Sequence, residues 1–95
     1  MNSSAFTLWL AQALAEVLLT PVSRGRRLKA VDRFTHACIA RLDHIPVDQH
    51  TQIIATFDRW LHTKQIDGYA IPRDDETMDW MEEIVGSIAG LLEEE

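Results

Sequence analysis

With one cysteine, Cys38, the chain cannot form an internal disulfide, and cysteine alone cannot build it a thiolate zinc site. That economy suits a reducing compartment, so a cytoplasmic location is the expectation. No run approaches the roughly 20 uninterrupted apolar residues that a membrane span requires, so no membrane partner is expected. The apolar N-terminal stretch lacks a basic leading region and is broken by Gln12 and Glu16, which argues against a signal peptide. No segment alternates with period two, and no hairpin turn, internal repeat or low-complexity linker occurs. Gly-rich phosphate loops and the residue spacing of a nucleophilic triad are missing too. Without a motif for a defined reaction class, the chain reads as non-enzymatic and free of cofactors.

What is present is helical periodicity. An apolar fraction of 46% over 95 residues describes one globular domain. Helices are expected over residues 4–19, 22–44, 48–64 and 74–92, joined by short connections into an all-α, antiparallel four-helix bundle that occupies 1–95. The first helix is the unusual one. Phe6, Leu10, Ala13, Leu14, Val17 and Leu18 form one apolar stripe, and Leu8, Ala11, Ala15 and Leu19 form a leaner second stripe beside it. A helix apolar on two sides needs cover on two sides. Three partner helices with one stripe each leave the second stripe over, so Leu8, Ala11, Ala15 and Leu19 are expected to form a homodimer interface.

Helix two carries Leu28, Val31, Phe34, Thr35, Cys38, Ile39 and Leu42 towards the core, and Ile45 continues that face. Helix three carries Ile53, Ile54, Phe57, Trp60 and Leu61, and Asp48 is its natural cap. The segment 65–73 holds Ile66, Tyr69 and Ile71, which are expected to fold back onto the bundle. In helix four, Met78, Met81, Ile84, Val85, Ile88, Leu91 and Leu92 recur at helical spacing behind the carboxylates Asp74, Asp75 and Glu76, which complement the helix dipole.

The four histidines offer no metal site, because no H-x-x-x-H or C-x-x-C pair makes ligands converge. His36 is expected to pair with Asp32 one turn earlier, and His50 to pack inside. Cys38, centred on an apolar stripe, reads as a small inert hydrophobe.

The net charge of −6 conceals two opposed blocks. Arg24, Arg26, Arg27, Lys29, Arg33 and Arg41 face only Asp32 in the first. The second runs from Asp67 to Glu95 and is relieved only by Arg73. Such bipolarity implies either internal pairing of the blocks or two separate partner surfaces. On helix four, Gly86 and Gly90 lie away from the apolar stripe, each costing roughly 1 kcal/mol relative to alanine. Asp79, Trp80, Glu83, Gly86, Ser87 and Gly90 are therefore the expected contact surface for a protein partner with a basic face, with Trp80 at the rim of the apolar stripe as an aromatic anchor.

These features describe a regulatory protein that binds and modulates another macromolecule. An antiactivator of a transcription factor, an antitoxin or a phage-type inhibitor would work this way, by analogy alone. The alternative is a small nucleic-acid-binding regulator. Arg26, Lys29 and Arg33, at i, i+3 and i+7, present cations from one side of helix two. The order of helix one, short connection and basic helix two matches a helix-turn-helix, but that face has almost none of the Asn, Gln, Ser or Thr that read base edges.

Overall fold

A computed structural model describes residues 2–93. Among them are four α-helices: α1 (Ser3–Leu19), α2 (Arg24–Leu42), α3 (His50–Thr63) and α4 (Asp75–Glu93). Each boundary has a local cause. Asn2 caps α1 by accepting the Ala5 N–H at 2.8 Å. Ser23 accepts from the Arg26 N–H and starts α2 at Arg24, later than the Pro21 signal suggests. Asp74 closes the first turn of α4, its Oδ1 accepting the Thr77 N–H and its Oδ2 the Thr77 hydroxyl, both at 2.9 Å. Those hydrogen bonds hold the Asp74 carboxyl below the usual carboxylate range. Its stabilising contribution is present above the unfolded-state pKa and is lost as pH falls through the lowered folded value.

Asp48 does not cap α3. The chain leaves Pro46 through a 3₁₀ turn, Val47–Gln49, in which the Gln49 N–H donates to the Pro46 carbonyl at 2.9 Å. Asp48 is thereby used inside the turn, and α3 begins at His50 without a side-chain cap. At the other end of α3, Lys64 adopts a left-handed conformation (φ 59°) that ends the helix.

The helices pack as a diamond. α1 and α4 each touch all three other helices, while α2 and α3 lie on opposite flanks. Phe6, Leu10 and Leu14 of α1, Phe34 and Cys38 of α2, Phe57 and Trp60 of α3, and Met81, Ile84, Val85 and Ile88 of α4 are all buried. Leu42 and Leu61 pack against this core but stay partly exposed. Two residues expected inside, Leu28 and Ile39, are exposed. Flanked mainly by α1 and α4, α2 is covered only along a narrow strip, in which Phe34 and Cys38 are its buried residues.

The second stripe of α1 is covered by its own chain. Ala11 and Ala15 are buried, whereas Leu8 is 77% and Leu19 44% exposed. The four residues therefore do not form the continuous dimer face expected of them. Ile66 and Ile71 fold back onto the bundle as expected, and Ile45 is buried with them. α4 buries a wider face than its stripe, adding Thr77 and Trp80. The 64–74 connection is held in place by Gln65, whose side-chain amide donates to the Ile71 carbonyl and accepts the Ile71 N–H, both at 3.1 Å. Arg59 pairs with Asp67 beside it, and Gly68 (φ 84°) makes the turn between Ile66 and Tyr69. Tyr69 is only partly covered, with 37% of its surface exposed. The start of α1 is tied to α3 by Ser3, whose N–H donates to Gln49 Oε1 at 2.6 Å and whose hydroxyl donates to Gln52 Oε1 at 2.7 Å.

Phe57 and Trp60 pack ring against ring at 5.9 Å in the middle of this arrangement. Phe57→Ala and Trp60→Ala are each expected to destabilise the fold by about 3–5 kcal/mol, measured by urea denaturation. A loss below about 1 kcal/mol would place the α3 face outside the core.

Candidate interaction groove

Helical geometry divides the basic block of α2 in two. Arg24 and Arg27 lie one turn apart and lean over the ring of Trp80 on α4, their guanidinium carbons 5.3 and 6.0 Å from its centroid. Arg27 is the more enclosed, its side chain 12% exposed. It donates to the Thr20 carbonyl at 3.0 Å and lies 3.9 Å from the Glu76 carboxylate. One side chain thus links the end of α1, the start of α2 and the first turn of α4.

The consequence for Trp80 is a correction. The ring is 4% exposed and is not an anchor at the rim of α4. A helical wheel places it off the apolar stripe, but the two arginines close over that side and widen the covered face. Asp79, Glu83, Gly86 and Ser87 remain exposed, and Gly90 is half-buried. A methyl group added at Gly86 or Gly90 would meet no atom within 4 Å. Within this chain, neither glycine is needed for a close approach.

Arg26, Lys29 and Arg33 point elsewhere. All three are exposed, and among the described residues none has an ion-pair partner. They edge a groove of about 650 Å³ between α1 and α2. Its α1 wall is Trp9, Ala13, Glu16, Val17 and Thr20, at i, i+4, i+7, i+8 and i+11. Its α2 wall adds Ala30 and Phe34 below the cations, and Val22 of the connection lies at one end. Ala13 and Ala30 contribute the short side chains of its lining. Trp9 is fixed by internal partners, with Phe34 stacked on it at 5.9 Å and 9°, Phe6 tilted against it at 6.0 Å, and the Arg41 guanidinium 4.0 Å from its centroid. An apolar surface is thus held beside three exposed cations.

Sequence reasoning finds the cationic row and misses the groove next to it. The available signal was the pairing of two weak apolar faces, Trp9-Ala13-Val17 and Ala30-Phe34, each beside polar residues on its own helix.

Burial pushes the Cys38 thiol up to about 12, against the smaller opposing effect of Arg41, so it stays protonated and non-nucleophilic at neutral pH. His36 pairs locally with Asp32, its Nδ1 lying 2.8 Å from the Asp32 carbonyl oxygen, and His50 is buried. Among the described residues no three His, Cys, Asp or Glu side chains cluster to hold a metal ion, and no helix is long and apolar enough to cross a membrane. Comparison with protein-family models, curated proteins and solved structures finds no match to the chain.

The divided basic block makes neighbouring arginines unequal. Arg27→Ala is expected to cost about 2 kcal/mol, because it removes a hydrogen bond and a cation–π contact from a mostly buried site. Arg26→Ala should stay within about 0.5 kcal/mol of the parent by the same urea titration. Equal losses would contradict the division. For α4, replacing Gly86 and Gly90 together by Ala is expected to raise stability by up to about 2 kcal/mol. A destabilised double variant would mean that another part of the protein packs against that face.

Proposed function

We propose that the protein is a non-enzymatic regulator that modulates another protein by seating part of it in the α1–α2 groove. One observation carries this reading: apolar residues line a groove edged by a row of three exposed cations, none of which has an ion-pair partner among the described residues. Exposed apolar area supplies affinity on association, and flanking charge supplies orientation and choice of partner. The protonated, buried Cys38 supports binding over nucleophilic chemistry.

Nucleic acid is the other class suited to Arg26, Lys29 and Arg33. The groove favours protein on two counts. A single-stranded ligand needs free aromatic faces on which its bases can stack, and Trp9 already carries Phe34 and Arg41. A net charge of −6 also repels a polyanion at distance. The acidic face of α4 is the weaker candidate surface, since Trp80 lies beneath it rather than on it.

The test is photo-crosslinking in the source cell, with a benzophenone amino acid replacing Lys29, Glu83 or Asp58 in turn. A discrete protein adduct is expected from position 29, with none from position 58 on the exposed side of α3. An adduct from position 83 alone would transfer the working surface to α4. A nucleic-acid adduct from position 29 would overturn the protein reading.

A further inference from the structure

We infer that the occupant of the α1–α2 groove is an amphipathic α-helix of the partner, with carboxylates along one flank of its apolar stripe. This inference rests on the interaction reading above and adds the chemistry and orientation of the partner element.

Charge complementarity and spacing carry the argument. Arg26, Lys29 and Arg33 occur at i, i+3 and i+7, so at 1.5 Å per residue they extend along about 10.5 Å, or two turns. A helix laid beside α2 repeats its side chains on the same period. Asp or Glu at i, i+3 or i+4, and i+7 then meets one cation each. The α1 wall of the groove, from Trp9 to Thr20, runs for roughly 16 Å, or three turns. Helices pack at about 8–10 Å between axes, and short residues at the crossing allow the closer end of that range. Ala13 and Ala30 are those residues here, leaving room for a Leu-sized side chain to enter between α1 and α2.

The two walls differ in charge, which fixes how the incoming helix is turned. Cations edge the α2 side, and Glu16 stands on the α1 side. The acidic flank must therefore face α2, and the flank towards α1 must be neutral or basic opposite Glu16. A helix with acids on the wrong flank meets a carboxylate and leaves the cations unpaired, which builds specificity through repulsion. A single anionic headgroup fits less well, because it wants donors that converge on one point and these three are spread along a line.

The test uses three labelled, stapled 18-residue helical peptides with the same Leu stripe. One carries Glu on the flank that faces α2, the second carries Lys there, and the third carries Glu on the opposite flank. Binding to the full chain is measured by fluorescence polarisation and located by amide shifts. The first peptide is expected to bind with shifts at Ala13, Val17 and Ala30, and roughly tenfold more tightly than either control at low salt, a ratio that salt diminishes. Combining Arg26→Glu, Lys29→Glu and Arg33→Glu should invert the preference towards the Lys peptide, and circular dichroism checks that the variant folds. Ala30→Trp, which fills the floor without changing charge, should abolish binding of all three peptides.

Equal binding of the Glu and Lys peptides would overturn the inference, as would displacement of the first peptide from the same amides by dodecanoate or an oligonucleotide. Failure of the Glu peptide to bind, alongside a protein adduct from position 29, removes the acidic helix and leaves the interaction reading standing. Failure of both removes the two together.

Discussion

A helix apolar on two sides, in a chain of only 95 residues, is the constraint on which the rest of this fold depends. Exposed, the Ala11 and Ala15 side of α1 would present apolar area that a small domain cannot easily leave in water. The chain covers it from within. α4 buries a wider face than its stripe, and the connections contribute Ile45, Ile66 and Ile71 as if they were core positions. Gln65 pairs with both backbone groups of Ile71, which lets an irregular segment carry a buried isoleucine without orphaned polar groups.

Closing α1 on that side decides where the chain stays open. α2 meets α1 and α4 along a narrow strip, so its outer apolar residues and its cations are left to solvent. Helical period then sorts the cations. Arg24 and Arg27 turn towards Trp80 and Glu76, where the two charge blocks of the sequence pair internally. Arg26, Lys29 and Arg33 turn the other way and edge the groove, without an ion-pair partner among the described residues. Of the two readings of the bipolar charge, internal pairing is realised by Arg24 and Arg27, and the other cations of the block are the ones proposed to meet a partner.

Much of the fold was legible in local chemistry. The carboxylates from Asp74 onward mark the start of α4, and the spacing of Phe34-Cys38, Phe57-Trp60 and Met81-Ile84-Val85-Ile88 marks the buried faces, whereas the cap at Ser23 was hidden by the earlier Pro21 signal. What escaped has a common cause: it depends on two elements at once. Trp80 lies off the stripe of its own helix and is buried by arginines from another. Ala11 and Ala15 look left over on their own helix, yet both are buried within the chain. Asp48 has the chemistry of a cap, but the turn after Pro46 is hydrogen-bonded first. The groove is the clearest case, since neither of its walls is remarkable in one dimension.

The open or closed state of each side of α1 therefore decides where a partner can be seated. Solvent paramagnetic relaxation of the alanine methyl groups by a soluble gadolinium chelate reads this directly. Ala13 and Ala30, in the groove, are expected to relax strongly, while Ala11 and Ala15 are protected. Strong relaxation at Ala11 and Ala15 with protection of Ala13 and Ala30 would contradict the arrangement, and with it the groove as the working surface.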